Sequence, residues 1–344
     1  MPRRRVALPF DLSRLEVVVL YSLALGLARG RPEDRLADEE TERVAMAIAE
    51  SLAGRVGAVH RAPVWDDLPA ALAPFDPERH AVFNLVESLG GRPFTEEQAV
   101  RVIERMGFAH TGASYPALRR SANKLLTKRL LVRAGLVTPR YQIFRRIGRH
   151  AIDLSLPAIV KPIAEGGSFG IRQSSLANDG ESLQRLIDEC LTLYRQAALV
   201  EEYIIGREIN VALWGNRQPV VLPISEIIFE WTDDPLKQFV TFESKWVRDS
   251  PEFSGTPGVC PAPLTADEQE RVEAAALCAY QALEVTGYAR VDMRLRDGIP
   301  HIIEVNANSD LAQDAGFYRS AHAAGYSYAE MVLHVLKLAV DPEL

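Results

Sequence analysis

Apolar residues recur at helical spacing across 39–52, where Val44, Ala45, Ile48 and Leu52 share one face. Short apolar runs at 5–10, 57–64 and 81–86 read as strands around that helix. The spacing predicts a helix over 95–106, opened by a Thr95/Gln98 capping box and stopped at Gly107. A further helix is expected over 121–134, ended by Gly135 with Pro139 close behind. Strands are expected at 141–144, 158–162 and 171–176, a helix at 182–194, and strands at 198–204, 208–214 and 220–229. A polar stretch over 232–263 precedes a long helix at 265–284, for which Thr265 and Glu268 form a second capping box. Strands at 289–295 and 301–306 flank the turn Arg296-Asp297-Gly298, and a helix over 327–339 follows. Strands mixed with helices throughout imply an α/β chain.

Composition narrows the function classes. The 344 residues are 47% hydrophobic and 25% charged, which excludes disorder as the dominant state. A net charge of −7 argues against general nucleic-acid binding. Cys190, Cys260 and Cys278 have no metal-ligand spacing, and their odd number argues against a disulfide framework. The reading is a reducing, cytoplasmic compartment. Arg3-Arg4-Arg5 ahead of the apolar run 17–28 imitates a signal peptide. That run is too short to span a bilayer and contains Ser22, so it reads as a buried element of the first domain and no membrane partner is expected.

Chemistry concentrates at four places. Alternate residues of a strand share a face, so Arg290 and Asp292 point together, as do Glu304 and Asn306 on the next strand. One arginine, two carboxylates and one amide on one surface suit a hard cation holding a polyphosphate. Lys161 ends an apolar strand, and Glu165-Gly166-Gly167-Ser168-Phe169-Gly170 follows, a glycine-rich turn able to close backbone N–H groups on phosphate. Neither a Walker A nor a G-x-G-x-x-G pattern is present. Gly166–Gly170 matches the G-x-S-x-G of a hydrolase elbow, but the strand expected next contradicts the strand-to-helix turn that motif requires. Glu201-Glu202-Tyr203-Ile204, followed by Glu208, could line a base-and-ribose pocket or form a solvated hairpin.

The ordered set Lys124, Lys161, the glycine-rich turn, Glu201–Glu202–Tyr203–Ile204, Glu208, Lys245, Arg290–Asp292 and Glu304–Asn306 resembles the ATP-grasp superfamily. Within it the set is most similar to the D-alanine–D-alanine ligase group, over residue 82 to the C-terminus. The resemblance implies a three-domain α/β fold: 1–118 an N-terminal domain, 119–202 the central domain, 203–344 the C-terminal one. ATP would lie between the last two. It implies ATP and Mg²⁺ as cofactors, with two metal ions and Mn²⁺ as a substitute. A carboxylate donor is phosphorylated and an amine acceptor attacks it. It also implies a homodimer. Lys124 and Lys161 resemble the phosphate-contacting lysines, and Glu165 to Ser168 the phosphate loop. Residues 201–204 resemble the adenine linker, and Glu208 the ribose ligand. Lys245 resembles the lysine of a mobile loop, Asp292, Glu304 and Asn306 the magnesium ligands, and Arg290 the group that steadies the tetrahedral intermediate.

The departures lie on the substrate side. Gly167 and Trp246 stand where the family couples a serine to a tyrosine, which removes that hydrogen bond. Asn84 to Glu87 replaces a His-Gly motif, and the family's N-terminal glutamate for the first substrate has no counterpart beyond the candidates Asp11 and Glu16. Asp310 replaces a glycine, and Ala315 stands near the family's carboxylate-binding serine. A carboxylate at 310 repels an acceptor's carboxylate and attracts an ammonium. The expected activity is an ATP-dependent ligase making an amide or peptide bond, with an acceptor other than D-alanine. An authentic D-alanine–D-alanine ligase, a non-catalytic ATP-binding regulator and a serine hydrolase are the rivals. The stretch 231–260 is expected to be a lid, mobile without nucleotide.

Overall fold

The computed structural model describes residues 11–23, 25–26, 35–93 and 95–344. The strand expected at 5–10 and part of the apolar run 17–28 lie outside them. The described part of that run is the strand Glu16–Ser22, central in a parallel sheet ordered Ala58–Val64, Glu16–Ser22, His80–Leu85, Ala109–His110. Its alternation sends Val17 and Val19 to one face and Val18 and Leu20 to the other. Val17 and Val19 pack with the helix Arg35–Leu52 and with Met331 and Val335 of the last helix, Tyr328–Val340. Val18 and Leu20 meet Leu68, Leu72, Ala99 and Ile103 on the opposite side.

A second, antiparallel sheet runs Tyr141–Phe144, Ala198–Glu202, Ala158–Pro162, Leu176–Ala177, backed by the helix Gly180–Tyr194. The third is antiparallel as well, ordered Gly258–Val259, Ser225–Ile227, Arg207–Trp214, Tyr288–Arg296, Ile299–Ala307, with Val220–Val221 beside Arg207–Trp214. The helix Ala266–Ala282 covers one of its faces through Val272, Ala276 and Ala279. The Thr265/Glu268 capping box forms, and Gly107 closes Glu96–Met106 in the left-handed conformation.

Five expectations change. The helix expected over 121–134 is two, Tyr115–Ser121 and Lys124–Arg133, because the Asn123 side chain accepts the Leu126 N–H at 3.1 Å and starts a new helix. The strand expected at 171–176 is a 3₁₀ turn, Gln173–Ser175, leading into Leu176–Ala177. There the Ser175 hydroxyl accepts the Arg172 N–H at 3.0 Å and competes with strand pairing. Thr95 does not cap its helix; its hydroxyl donates to the Arg92 carbonyl at 3.0 Å. The strand expected at 220–229 is interrupted between Val221 and Ser225, where Pro223 has no N–H for a ladder. The polar stretch contains two short helices, Phe242–Trp246 and Pro251–Ser254. The helix Gly316–Ala323 was not anticipated. All three cysteines are free, and among the described residues no helix is long and apolar enough to cross a membrane.

Candidate functional site

Register builds the centre of the site. Arg290 pairs with Asn306 and Asp292 with Glu304, while Asn210 of the neighbouring strand lies opposite Asp292. Directly paired residues project to the same face, so all five side chains meet in the cleft. Arg290 grips Asp292 through Nε at 2.7 Å and Nη2 at 2.8 Å. Asn210 and Asn306 each donate Nδ2–H to Asp292 at 2.8 Å. Burial opposes the Arg290 charge, but Asp292, Glu304 and Asp310 outweigh it and the guanidinium is held more firmly protonated.

Lysines converge on this surface from two other elements. Lys124, at the start of Lys124–Arg133, reaches Glu304 at 2.9 Å. A lysine is unfavourable at the positive end of a helix dipole, and Glu304 compensates it. Lys161 reaches Glu201 Oε2 at 2.7 Å, and Lys128, one turn beyond Lys124, pairs with Oε1. Glu201 and Lys128 are each 1% exposed. Burial alone would raise the Glu201 carboxyl, and the two ammonium groups reverse this and hold it low, at about 2. The Glu201 side chain therefore anchors two lysines instead of facing a base. Lys128 also donates to Thr138 Oγ1 at 2.6 Å.

The glycine-rich turn is left-handed at Gly167 and Ser168, with φ of 54° and 63°. No α-helix begins there until Gly180, so the turn lacks the strand-to-helix geometry of a hydrolase elbow. Glu165 is buried and accepts from Gln196. The helix Phe242–Trp246 closes over the turn. Trp246 Nε1–H donates to the Gly167 carbonyl at 2.9 Å, and Phe242 N–H to the Ile171 carbonyl at 2.8 Å. Arg172 pairs with Glu243. In place of the serine–tyrosine hydrogen bond that the sequence rules out, an indole donates to a backbone carbonyl and joins the two segments. Lys245 is carried inward on this helix. Burial and Arg290 lower its ammonium, against the pull of Asp292, Glu304 and Asp310.

At the far end, Arg294 is buried and donates to Ile204 O at 3.0 Å, Gln238 O at 2.8 Å and Glu208 Oε2 at 2.6 Å. Tyr203 donates its hydroxyl to Pro235 O at 2.9 Å. Burial pushes that phenol up to about 12. Glu202 is taken up by Arg140 at 3.2 Å and the Ser155 N–H at 2.9 Å.

Apart from Asp310, the remaining wall escaped the sequence reading. Glu96, in the first turn of Glu96–Met106, accepts from Asn308 Nδ2 at 2.6 Å, while Asn308 Oδ1 accepts the Ala113 N–H at 2.6 Å. Burial pushes the Glu96 carboxyl up to about 8 against that hydrogen bond. Gly112 is obligatory beside it, with φ of 87° and a Cβ that would fall 2.0 Å from Asn308 Oδ1. Asp310 opens into the cleft and accepts the Ala312 N–H at 2.8 Å. Crowding by protein atoms raises its carboxyl, with Lys245 and Arg290 pulling the other way. Gly316 lies 3.1 Å from Arg319 Nη2 and 3.6 Å from Arg290 Nη1, measured from where a Cβ would stand. Arg319 donates to Ser225 Oγ at 2.9 Å and has no carboxylate partner among the described residues. Asp11 and Glu16 lie outside the cleft: Asp11 binds Ser13, and Glu16 binds His60, His80 and Arg79. Helix spacing from Lys124 to Lys128, and strand alternation from Asp292 to Arg294, were the available signals for two of the missed residues. Glu96, Asn308 and Arg319 had none. The whole cleft encloses about 870 Å³.

The family model described as "D-ala D-ala ligase C-terminus" matches residues 130–337. An uncharacterized protein, y4sG, of Sinorhizobium fredii is 34% identical over 75% of this chain and 74% of its own length. The D-alanine–D-alanine ligase of Desulforudis audaxviator is 32% identical over 72% of this chain and 79% of its own. In fold, the D-alanine–D-alanine ligase from Bacillus anthracis complexed with ATP superposes with a TM-score of 0.73 at 21% identity, covering 94% of this chain and 97% of that one. With the sheets, the cleft and these matches in agreement, the chain belongs to the D-alanine–D-alanine ligase family and has its ATP-grasp fold.

Proposed function

We propose an ATP-dependent, ADP-forming ligase that joins a carboxylate to an amine through an acyl phosphate, with an acceptor that carries positive charge beyond its attacking amine. The observation that carries the ligase reading is the convergence of Lys124, Lys161, Lys245 and Arg290 on Asp292 and Glu304 in one cleft. Phosphoryl transfer needs positioning and charge neutralisation more than a covalent nucleophile, and this cleft offers both. In this reading Lys124, Lys161 and the turn 165–168 hold the polyphosphate, and Lys245 covers it from the lid. Residues 201–204 and Glu208 border the base and ribose, the Glu201 side chain acting only through its lysines. Asp292, Glu304 and Asn306 offer the oxygen donors that Mg²⁺ or Mn²⁺ prefers, and such an ion would neutralise the transferring phosphoryl group. The donor's carboxylate oxygen takes the γ-phosphoryl group and ADP leaves. The amine then displaces phosphate, and Arg290 steadies the charge that develops on the carbonyl oxygen. The reading extends to a homodimer, which light scattering would show as twice the chain mass.

The acceptor reading rests on Asp310, whose carboxylate opens into the cleft near the Arg290 end. Arg319, with no acidic partner among the described residues, suits a carboxylate on the same molecule, so the favoured acceptor is a diamino acid. The test is acceptor preference, read as product mass and ADP release over amino acids, diamino acids and polyamines, with D-alanine included. The parent enzyme is expected to prefer a cationic acceptor and Asp310→Gly to lose that preference at least tenfold. Unchanged preference and efficiency in Asp310→Gly refutes the role of Asp310. D-alanyl-D-alanine as the only product of the parent overturns the acceptor reading and leaves the ligase reading standing.

A further inference from the structure

The first sheet carries a second cluster of ligand-type side chains, at the end opposite the cleft. Glu16 opens Glu16–Ser22 and pairs with His80, which opens His80–Leu85; His60 lies opposite Val18. Glu16 and Val18 share a face, so all three side chains project together. The cleft meets the carboxyl end of the same strands, at Asn84 and Leu85. His60 Nε2 is 2.9 Å from Glu16 Oε2, and His80 Nε2 is 3.2 Å from the same oxygen. The three donor atoms lie within 4.8 Å of one another.

Three features prepare this cluster for a cation. His80 Nδ1 lies 2.9 Å from the Asp76 carbonyl oxygen and 3.2 Å from the Asp76 backbone nitrogen, contacts that fix the ring with Nε2 toward Glu16. Nε2 therefore faces Glu16 Oε2, where it either donates a proton to the carboxylate or shares a cation with it. Arg79 holds Glu16 Oε1 at 2.6 Å and leaves Oε2 to the histidines. The Phe75 ring packs tilted against His60 at 5.4 Å and edge-on against His80 at 5.3 Å between centroids, walling one side, while His60, 36% exposed, leaves an entrance.

We propose that Glu16, His60 and His80 form a three-ligand site for a divalent ion of the Zn²⁺ class, with water in the fourth position. Two imidazole nitrogens and one carboxylate are a borderline donor set, poorly suited to Mg²⁺ and well suited to Zn²⁺ or Co²⁺. Zinc–ligand bonds of about 2.0–2.2 Å need donor separations of roughly 3.3 Å in a tetrahedron, which small rotations of the rings supply. The neighbouring Arg79 charge weakens the site, so binding is expected in the micromolar range. The ion would tie three strands together, far from the ligase chemistry.

The test uses the EDTA-stripped full chain without nucleotide. Calorimetric titration with Zn²⁺ is expected to show one equivalent bound and a raised melting temperature. His60→Gln and Glu16→Gln should each weaken binding at least tenfold, with melting in EDTA as the control for folding. The double variant Asp292→Asn/Glu304→Gln, which removes the cleft carboxylates, should keep it. X-ray absorption on the unmutated Zn²⁺ form requires no variant and should show two imidazoles and no sulfur. Absence of saturable binding, binding lost only in the cleft variant, or a sulfur ligand each overturns the proposal.

Discussion

Among single residues, Glu201 has the largest expected effect. It is 1% exposed and neutralises two lysines, Lys128 and Lys161. Replacing it by glutamine leaves two buried ammonium groups without their carboxylate, which costs about 3–5 kcal/mol. Chemical denaturation of Glu201→Gln checks this, and a loss below about 1 kcal/mol contradicts the anchoring role. Glu96 gives a pH signature. Burial raises its carboxyl from 4.5 to about 8, so the folded chain holds a proton that the unfolded chain releases. Its contribution makes stability fall as pH rises from about 4.5 to about 8 and level off above. Glu96→Gln is expected to flatten that part of the stability–pH curve. An identical slope in the variant would remove Glu96 as its source.

At the level of elements, the helix Phe242–Trp246 is held to the glycine-rich turn by Trp246 and by the Arg172–Glu243 pair. Trp246→Phe removes the indole donor and keeps the ring. It is expected to raise the KM for ATP about 3- to 10-fold, in keeping with a hydrogen bond of about 1 kcal/mol, and to speed hydrogen exchange across 231–260. In the parent, exchange there should slow on adding Mg-ATP. An unchanged KM with unchanged exchange would show that the indole does not fasten the lid. The strands that carry Arg290, Asp292, Glu304 and Asn306 were legible in the sequence, because strict alternation turns spacing into a shared face. The 3₁₀ turn at Gln173–Ser175 and the break at Asn123 were not. There, Ser175 and Asn123 bind nearby backbone, a local competition that apolar periodicity does not register.

Over the whole molecule, the first sheet, the last helix and the cleft are interlocked. Met331 and Val335 share a core with Val17 and Val19, and Asn308 connects Glu96 and Ala113 to the end of the strand Ile299–Ala307. The fold class, and the lysines and carboxylates that meet in the cleft, followed from motifs kept in order along the chain. Apart from Asp310, the opposite wall did not, because Glu96, Asn308 and Arg319 come from separate elements and meet only by tertiary packing. The same packing encloses a cleft of about 870 Å³ that joins the lysines, the carboxylates and the wall of Glu96, Asn308, Asp310 and Arg319. In the proposed reaction, donor and nucleotide would react without leaving it.

The central claim is formation of an acyl phosphate in that cleft, and the direct measurement is ADP release with Mg-ATP and a donor panel in the presence of hydroxylamine. The account predicts donor-dependent ADP and a matching hydroxamate, both abolished in Arg290→Met. ADP release without hydroxamate for every donor, or hydroxamate formed without ATP, would contradict it.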